Sequence, residues 1–131
     1  MLLGWGAALL LQLAHPLVGA GITGHSAALR SHAARRRRLR HTADFTLALT
    51  FGSPDQARRA VAHVRGIHRY VHGATAEGAA RYPDGTPYSA EDPELLRFVY
   101  ATMIDALLRA CALYVGPLTA EQRDRFCAEA A

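Results

Sequence analysis

Ser53-Pro54-Asp55-Gln56-Ala57-Arg58-Arg59-Ala60-Val61-Ala62-His63-Val64-Arg65-Gly66-Ile67-His68-Arg69-Tyr70-Val71-His72-Gly73 carries the clearest helix signature in the chain. Ser53 offers an N-cap oxygen and Pro54 suits the first helical position. Asp55 puts an acid in the first turn, and Gln56 completes a capping box. The spacing predicts a helix from here to about His72, with Gly73 as its stop.

Upstream, the pattern predicts a long helix over about 35–50. Leu39, Phe45, Leu47, Leu49 and Phe51 supply much of its apolar surface. Gly52 is expected to end it in a positive-φ conformation. Earlier still, residues 4–14 form a first helical run, and Pro16 bends or restarts it. Gly19, Gly21 and Gly24 are expected to loosen the chain before a short helix near Ser26 to His32.

Downstream, residues 74–91 read as the main irregular loop, with Asp84-Gly85 as its clearest turn. A hairpin-like turn fits Tyr82 to Tyr88, but Pro83 and Pro87 argue against a regular strand pair. Asp92-Pro93-Glu94 starts a further helix, with Asp92 as its N-cap, running to about Val115 before Gly116-Pro117. Thr119-Ala120-Glu121-Gln122 is a second capping box, and its helix runs to Ala131 without a stop signal. The fold class expected is all-α: a bundle of about five to six helices, with one irregular loop around residues 74–91. The chain of 131 residues suits one domain with one core.

Half of the residues are apolar and a fifth are charged, which excludes a disordered composition. The net charge is +4 and every cation is Arg. Six arginines crowd into Arg30 to Arg40. That run fits a solvated helix face, or a patch for anionic lipid or nucleic acid. No nucleic-acid-binding motif accompanies it and no aromatic residues interleave with it, so no nucleic-acid partner is expected. Cys111 and Cys127 form no zinc spacing and read as buried free thiols. Met1 to Leu13 is strongly apolar but lacks a basic flank, and Gln12, His15 and Pro16 interrupt it. It reads as a buried core helix rather than an export signal. The expected location is cytoplasmic, with association at a membrane surface as a further expectation.

Seven histidines stand in the chain, three of them on the Ser53 helix. His68 and His72 are four apart and share a face of an uninterrupted helix, while His63 lies about 140° from His68. Such a pair binds a metal in some proteins. The spacing equally fits one hydrogen-bonded core histidine and one surface histidine. There is no HExxH and no carboxylate-rich helix to complete a di-iron site.

A series of short motifs points further. Leu10-Leu11-Gln12-Leu13-Ala14-His15-Pro16-Leu17-Val18-Gly19-Ala20-Gly21 opens it, followed by Gly24-His25-Ser26 and Arg38-Leu39-Arg40-His41-Thr42. Leu49-Thr50-Phe51-Gly52 and Val64 to Gly73 come next. Tyr88-Ser89-Ala90-Glu91-Asp92-Pro93-Glu94-Leu95-Leu96 and Phe98-Val99-Tyr100-Ala101-Thr102 complete it. In this order the motifs resemble the catalytic domain of the rubber oxygenases (latex-clearing proteins) and MpaB-type oxygenases, from about residue 4 to 125. Members are usually considerably longer, so the chain is expected to be a truncated form or a fragment of that haem-binding domain.

The resemblance implies a haem b cofactor with His68 as its axial iron ligand, and His72 and Arg38 beside it. Arg38 and Thr42 match the family's polar positions on the oxygen-binding side. His41 stands where a Lys precedes that Thr, and either takes over a polar role or faces water. Tyr100 replaces a family His, and Phe98 a Trp. His15 fits a buried structural role beside Pro16. The reaction implied is oxygenation or oxidative cleavage of an unsaturated, apolar, terpenoid-like substrate by O2. The alternative is a non-catalytic haem-binding or helical interaction module at a membrane surface.

Overall fold

The computed structural model describes residues 4–29, 31–79 and 81–130. Among them the chain is all-α apart from one small hairpin. The helices are α1 (Trp5–Ala14), α2 (Pro16–His25), α3 (His32–Phe51), α4 (Pro54–His68), α5 (Pro93–Tyr114) and α6 (Ala120–Ala130). A single 3-10 turn, Ala27–Leu29, precedes α3, and strands β1 (His72–Ala74) and β2 (Pro87–Ser89) lie between α4 and α5. Two compact units result: residues 16–92 form one, and the N-terminal segment to His15 joins residues 93–131 in the other.

In the second of these units α1 packs along α5. Small residues make the approach possible: a Cβ on Gly4 would stand 2.6 Å from the Ala106 carbonyl oxygen. Ala8, Ala106 and Ala110 are buried. The Gln12 amide donates to the Thr102 hydroxyl across 3.0 Å, satisfying a polar pair in an otherwise apolar seam. His15 ends α1 in extended conformation. Its ring lies tilted against Phe98, with centroids 4.8 Å apart, in keeping with a structural role. The expectation of a core helix holds for one stripe of α1 only, since Leu9, Leu10, Leu11 and Leu13 are exposed. Gly116 and Val115 close α5 by donating to the Cys111 carbonyl. Thr119 and Gln122 form the expected capping box at the start of α6. Both cysteines are free, but Cys127 is exposed rather than buried.

In residues 16–92 three boundaries depart from the sequence reading. Helix α2 runs straight through Gly19, Gly21 and Gly24 instead of loosening there. The absence of a side chain on Gly21 lets Val71 and Tyr88 approach its backbone, at 3.6 and 3.7 Å from where a Cβ would stand. Gly52 caps α3 in extended conformation, φ −78 and ψ 164, not with positive φ. Helix α4 stops at His68, not His72. Residues 72–74 are drawn into an antiparallel pair with 87–89, His72 opposite Ser89 and Ala74 opposite Pro87. Pro87 is tolerated because it stands at the first position of a short strand. The turn between the strands is locked by Thr75, whose hydroxyl donates to the Pro83 carbonyl at 3.1 Å and accepts from the Thr86 amide at 3.1 Å.

Among the described residues no single helix is long and apolar enough to cross a membrane. Helices α1 and α2 together reach the required length and composition, but only as a pair broken at His15.

Candidate functional site

Helix α4 owes its start to the capping box read from the sequence. The Ser53 amide donates to Gln56 Oε1 at 2.7 Å, and Ser53 Oγ accepts from the Gln56 amide at 3.3 Å. The fixed start sets the phase of the helix. Ala57, Ala60, Val64 and His68 then fall on one stripe at three- and four-residue spacing, and all four are partly shielded. His63 stands on the exposed side, as its spacing required. Helix α4 packs against α3 across the two-residue Gly52-Ser53 connection.

Helix α3 starts at Ser31, whose hydroxyl accepts from the Ala34 amide at 3.1 Å. Along one side of α3 a threonine ladder donates back into the helix: Thr42 to Arg38, Thr46 to Thr42 and Thr50 to Thr46, at 2.9–3.0 Å. In this arrangement Thr42 presents its lone pairs, because its proton is already given to the Arg38 carbonyl. Arg38 begins the ladder, and its charge is felt at the His68 ring.

Three influences act on that ring. Burial lowers the pKa of His68 and is the largest, the Glu91 carboxylate raises it, and the Arg38 guanidinium lowers it again. The C-terminal end of a helix favours a cation, yet the net shift is downward. The imidazole is therefore held neutral near pH 7, with a lone pair on one nitrogen.

Arg38 is exposed on α3 and acts on His68 only through its charge, and Thr42 lies one turn further along α3. His41 is exposed on α3. His72 does not share the inward stripe; it is exposed on β1, because the helix ends before it and the strand pairing redirects the chain. Glu91, which the sequence reading passed over in favour of its neighbour Asp92, is the charge that acts most strongly on His68.

The donor set offers a single neutral imidazole, a type of group that a haem iron takes. Among the described residues no three His, Cys, Asp or Glu side chains gather into a metal-chelating group. A porphyrin needs no such group, since it supplies four nitrogens and asks the protein for a neutral imidazole. His68 meets that requirement.

Comparison with known proteins gives the family. The family model for the catalytic domain of "ER-bound oxygenase mpaB/B'/Rubber oxygenase" matches residues 1–131. No curated protein and no solved structure matches the chain.

Proposed function

The chain belongs to the MpaB/rubber oxygenase catalytic-domain family, and on that premise we propose that it is a haem b-dependent oxygenase acting on an unsaturated, apolar, terpenoid-like substrate. The observation that carries this reading is His68: a half-buried imidazole on the partly shielded stripe of α4, its pKa lowered by burial.

Haem, when bound, supplies the dioxygen chemistry. Everything else falls to side chains of this chain. His68 would hold the haem iron through its lone pair, and burial, which lowers its pKa, disfavours the competing proton. Arg38 adds a permanent cation that suits a haem propionate or negative charge developing on oxygen. The Thr42 hydroxyl lies one turn away and can accept a proton donor as it stands, or donate after rotation about χ1. Oxidative cleavage of a carbon–carbon double bond by O2 gives two carbonyl products, which keep both oxygen atoms and need no outside reductant.

Incubation of the haem-loaded protein with a polyisoprenoid under 18O2 tests the activity. Carbonyl products carrying label at both new ends support the reading. Intact substrate, with loaded protein and O2 present, removes the oxygenase assignment.

A peripheral membrane contact is favoured by one further observation. Arg36 and Arg40 on α3 are exposed and share a ridge with exposed Leu47 and Phe51. A basic end continuing into an apolar end suits an anionic bilayer, from which an apolar substrate would also come. Arg30 lies outside the described residues.

A further inference from the structure

We propose that α1 is an interfacial membrane anchor, its leucine face seated among the acyl chains of an anionic phospholipid bilayer. The inference goes beyond the α3 contact and stands on different residues.

Helix α1 is built inside out for a helix in water. A helix at a protein surface turns its polar side chains to solvent and its apolar stripe to the core. The shielded side of α1 carries Gly4, Ala8 and Gln12, and the Gln12 amide is engaged by the Thr102 hydroxyl of α5 at 3.0 Å. The outward side carries Ala7, Leu9, Leu10, Leu11, Leu13 and Ala14, all exposed, with Leu10 at 70%. That side offers no charge and no side-chain hydrogen-bonding group.

A protein partner and a bilayer ask different things of such a face. Protein interfaces carry a polar rim and about one hydrogen bond per 100–200 Å², which these side chains do not supply. Acyl chains ask for none, since a helix satisfies its own backbone groups. The charge pattern of the chain selects the bilayer. Residues 1–29 contain no Asp, Glu, Lys or Arg, and six arginines follow within Arg30 to Arg40. Arg35, Arg36, Arg37, Arg38 and Arg40 are exposed on α3. An uncharged apolar segment followed at once by a basic one complements acyl chains and the anionic headgroups above them. With 10 residues, α1 is about 15 Å long. That is half of a hydrocarbon core of about 30 Å, so α1 lies in the interface and does not span.

Trp5 on α1 is the one tryptophan of the chain, so its emission reports on this helix. The full chain is mixed with vesicles of phosphatidylcholine and phosphatidylglycerol, with or without bromine on the acyl chains. Bromine is expected to quench Trp5. Leu10→Glu with Leu13→Glu, both at exposed positions, is expected to abolish that loss of emission at unchanged helix content by circular dichroism. Should the pair disturb folding, the bromine measurement on the unsubstituted chain decides by itself. Arg36→Gln with Arg40→Gln is expected to lower the vesicle-bound fraction and to leave the quenching of each bound molecule unchanged. Vesicle-bound protein whose Trp5 emission is indifferent to bromine overturns the inference and leaves the α3 contact standing. Quenching that survives the paired Leu→Glu change overturns it too. So does a lipid-free dimer that the same pair dissociates, because a second copy then covers the face.

Discussion

The Arg38 guanidinium on α3 opposes protonation of the His68 imidazole at the end of α4, and burial of the ring acts in the same direction more strongly. The two residues stand thirty positions apart in the chain. What joins them is the short connection at Gly52-Ser53 and the capping box that sets the phase of α4.

A pH dependence follows from this pair together with the burial of His68. The folded-state pKa lies below the ordinary 6.5. Between the lowered value and 6.5 the unfolded chain binds a proton that the native chain does not. Stability therefore rises with pH through that window, is fully present above it, and is lost as pH falls through it. Urea midpoints of the haem-free protein are expected to decrease on acidification from pH 7.5 to 5. In His68→Gln that decrease becomes shallower; an unchanged slope would contradict the assigned burial.

The Ser53 cap gives a stability prediction. Ser53→Ala removes the acceptor for the Gln56 amide and is expected to cost about 1 kcal/mol. The urea midpoint falls while the slope of the transition is unchanged. Loss of the cap also frees the phase of α4, so haem affinity should weaken alongside.

The seam between α1 and α5 tolerates no added volume. Ala106 is 2% exposed, and its carbonyl lies against Gly4. Ala106→Leu is expected to cost about 1–3 kcal/mol through overpacking, read as a lower thermal midpoint. A midpoint equal to that of the unsubstituted protein would show that the two helices do not pack this closely.

For the membrane contact, co-sedimentation with vesicles containing phosphatidylglycerol is expected to exceed that with phosphatidylcholine alone, and to weaken with salt. Arg36→Gln with Arg40→Gln should reduce it, and Phe51→Ser should reduce it further. Binding that is indifferent to lipid charge and to both changes would remove α3 as the contact.

Much of the fold was legible because the chain states its helix starts in local chemistry. Ser53-Pro54-Asp55-Gln56, Pro93 after Asp92, and Thr119 with Gln122 each act within one turn, and all three starts stand where the sequence put them. The misplaced boundaries depend on partners distant in sequence. Gly21 stays helical because Tyr88 and Val71 lie against it, and His72 leaves the helix because Ser89 pairs with it. No periodicity within residues 53–73 encodes that pairing. The same limit applies to the site. Arg38, Thr42 and His68 were identified from motif resemblance, and the partly shielded place of His68 then followed from the helix phase. The Glu91 charge acts on His68 only because the hairpin returns the chain toward the end of α4, so its neighbour Asp92, with its conspicuous cap pattern, drew the reading instead.

The most direct measurement is the absorption spectrum of the purified chain after haem reconstitution, recorded beside His68→Ala and His72→Ala. The account predicts a Soret band with histidine ligation that His72→Ala retains and His68→Ala loses or shifts. A spectrum of free haem in all three proteins, or one indifferent to His68→Ala, would contradict it.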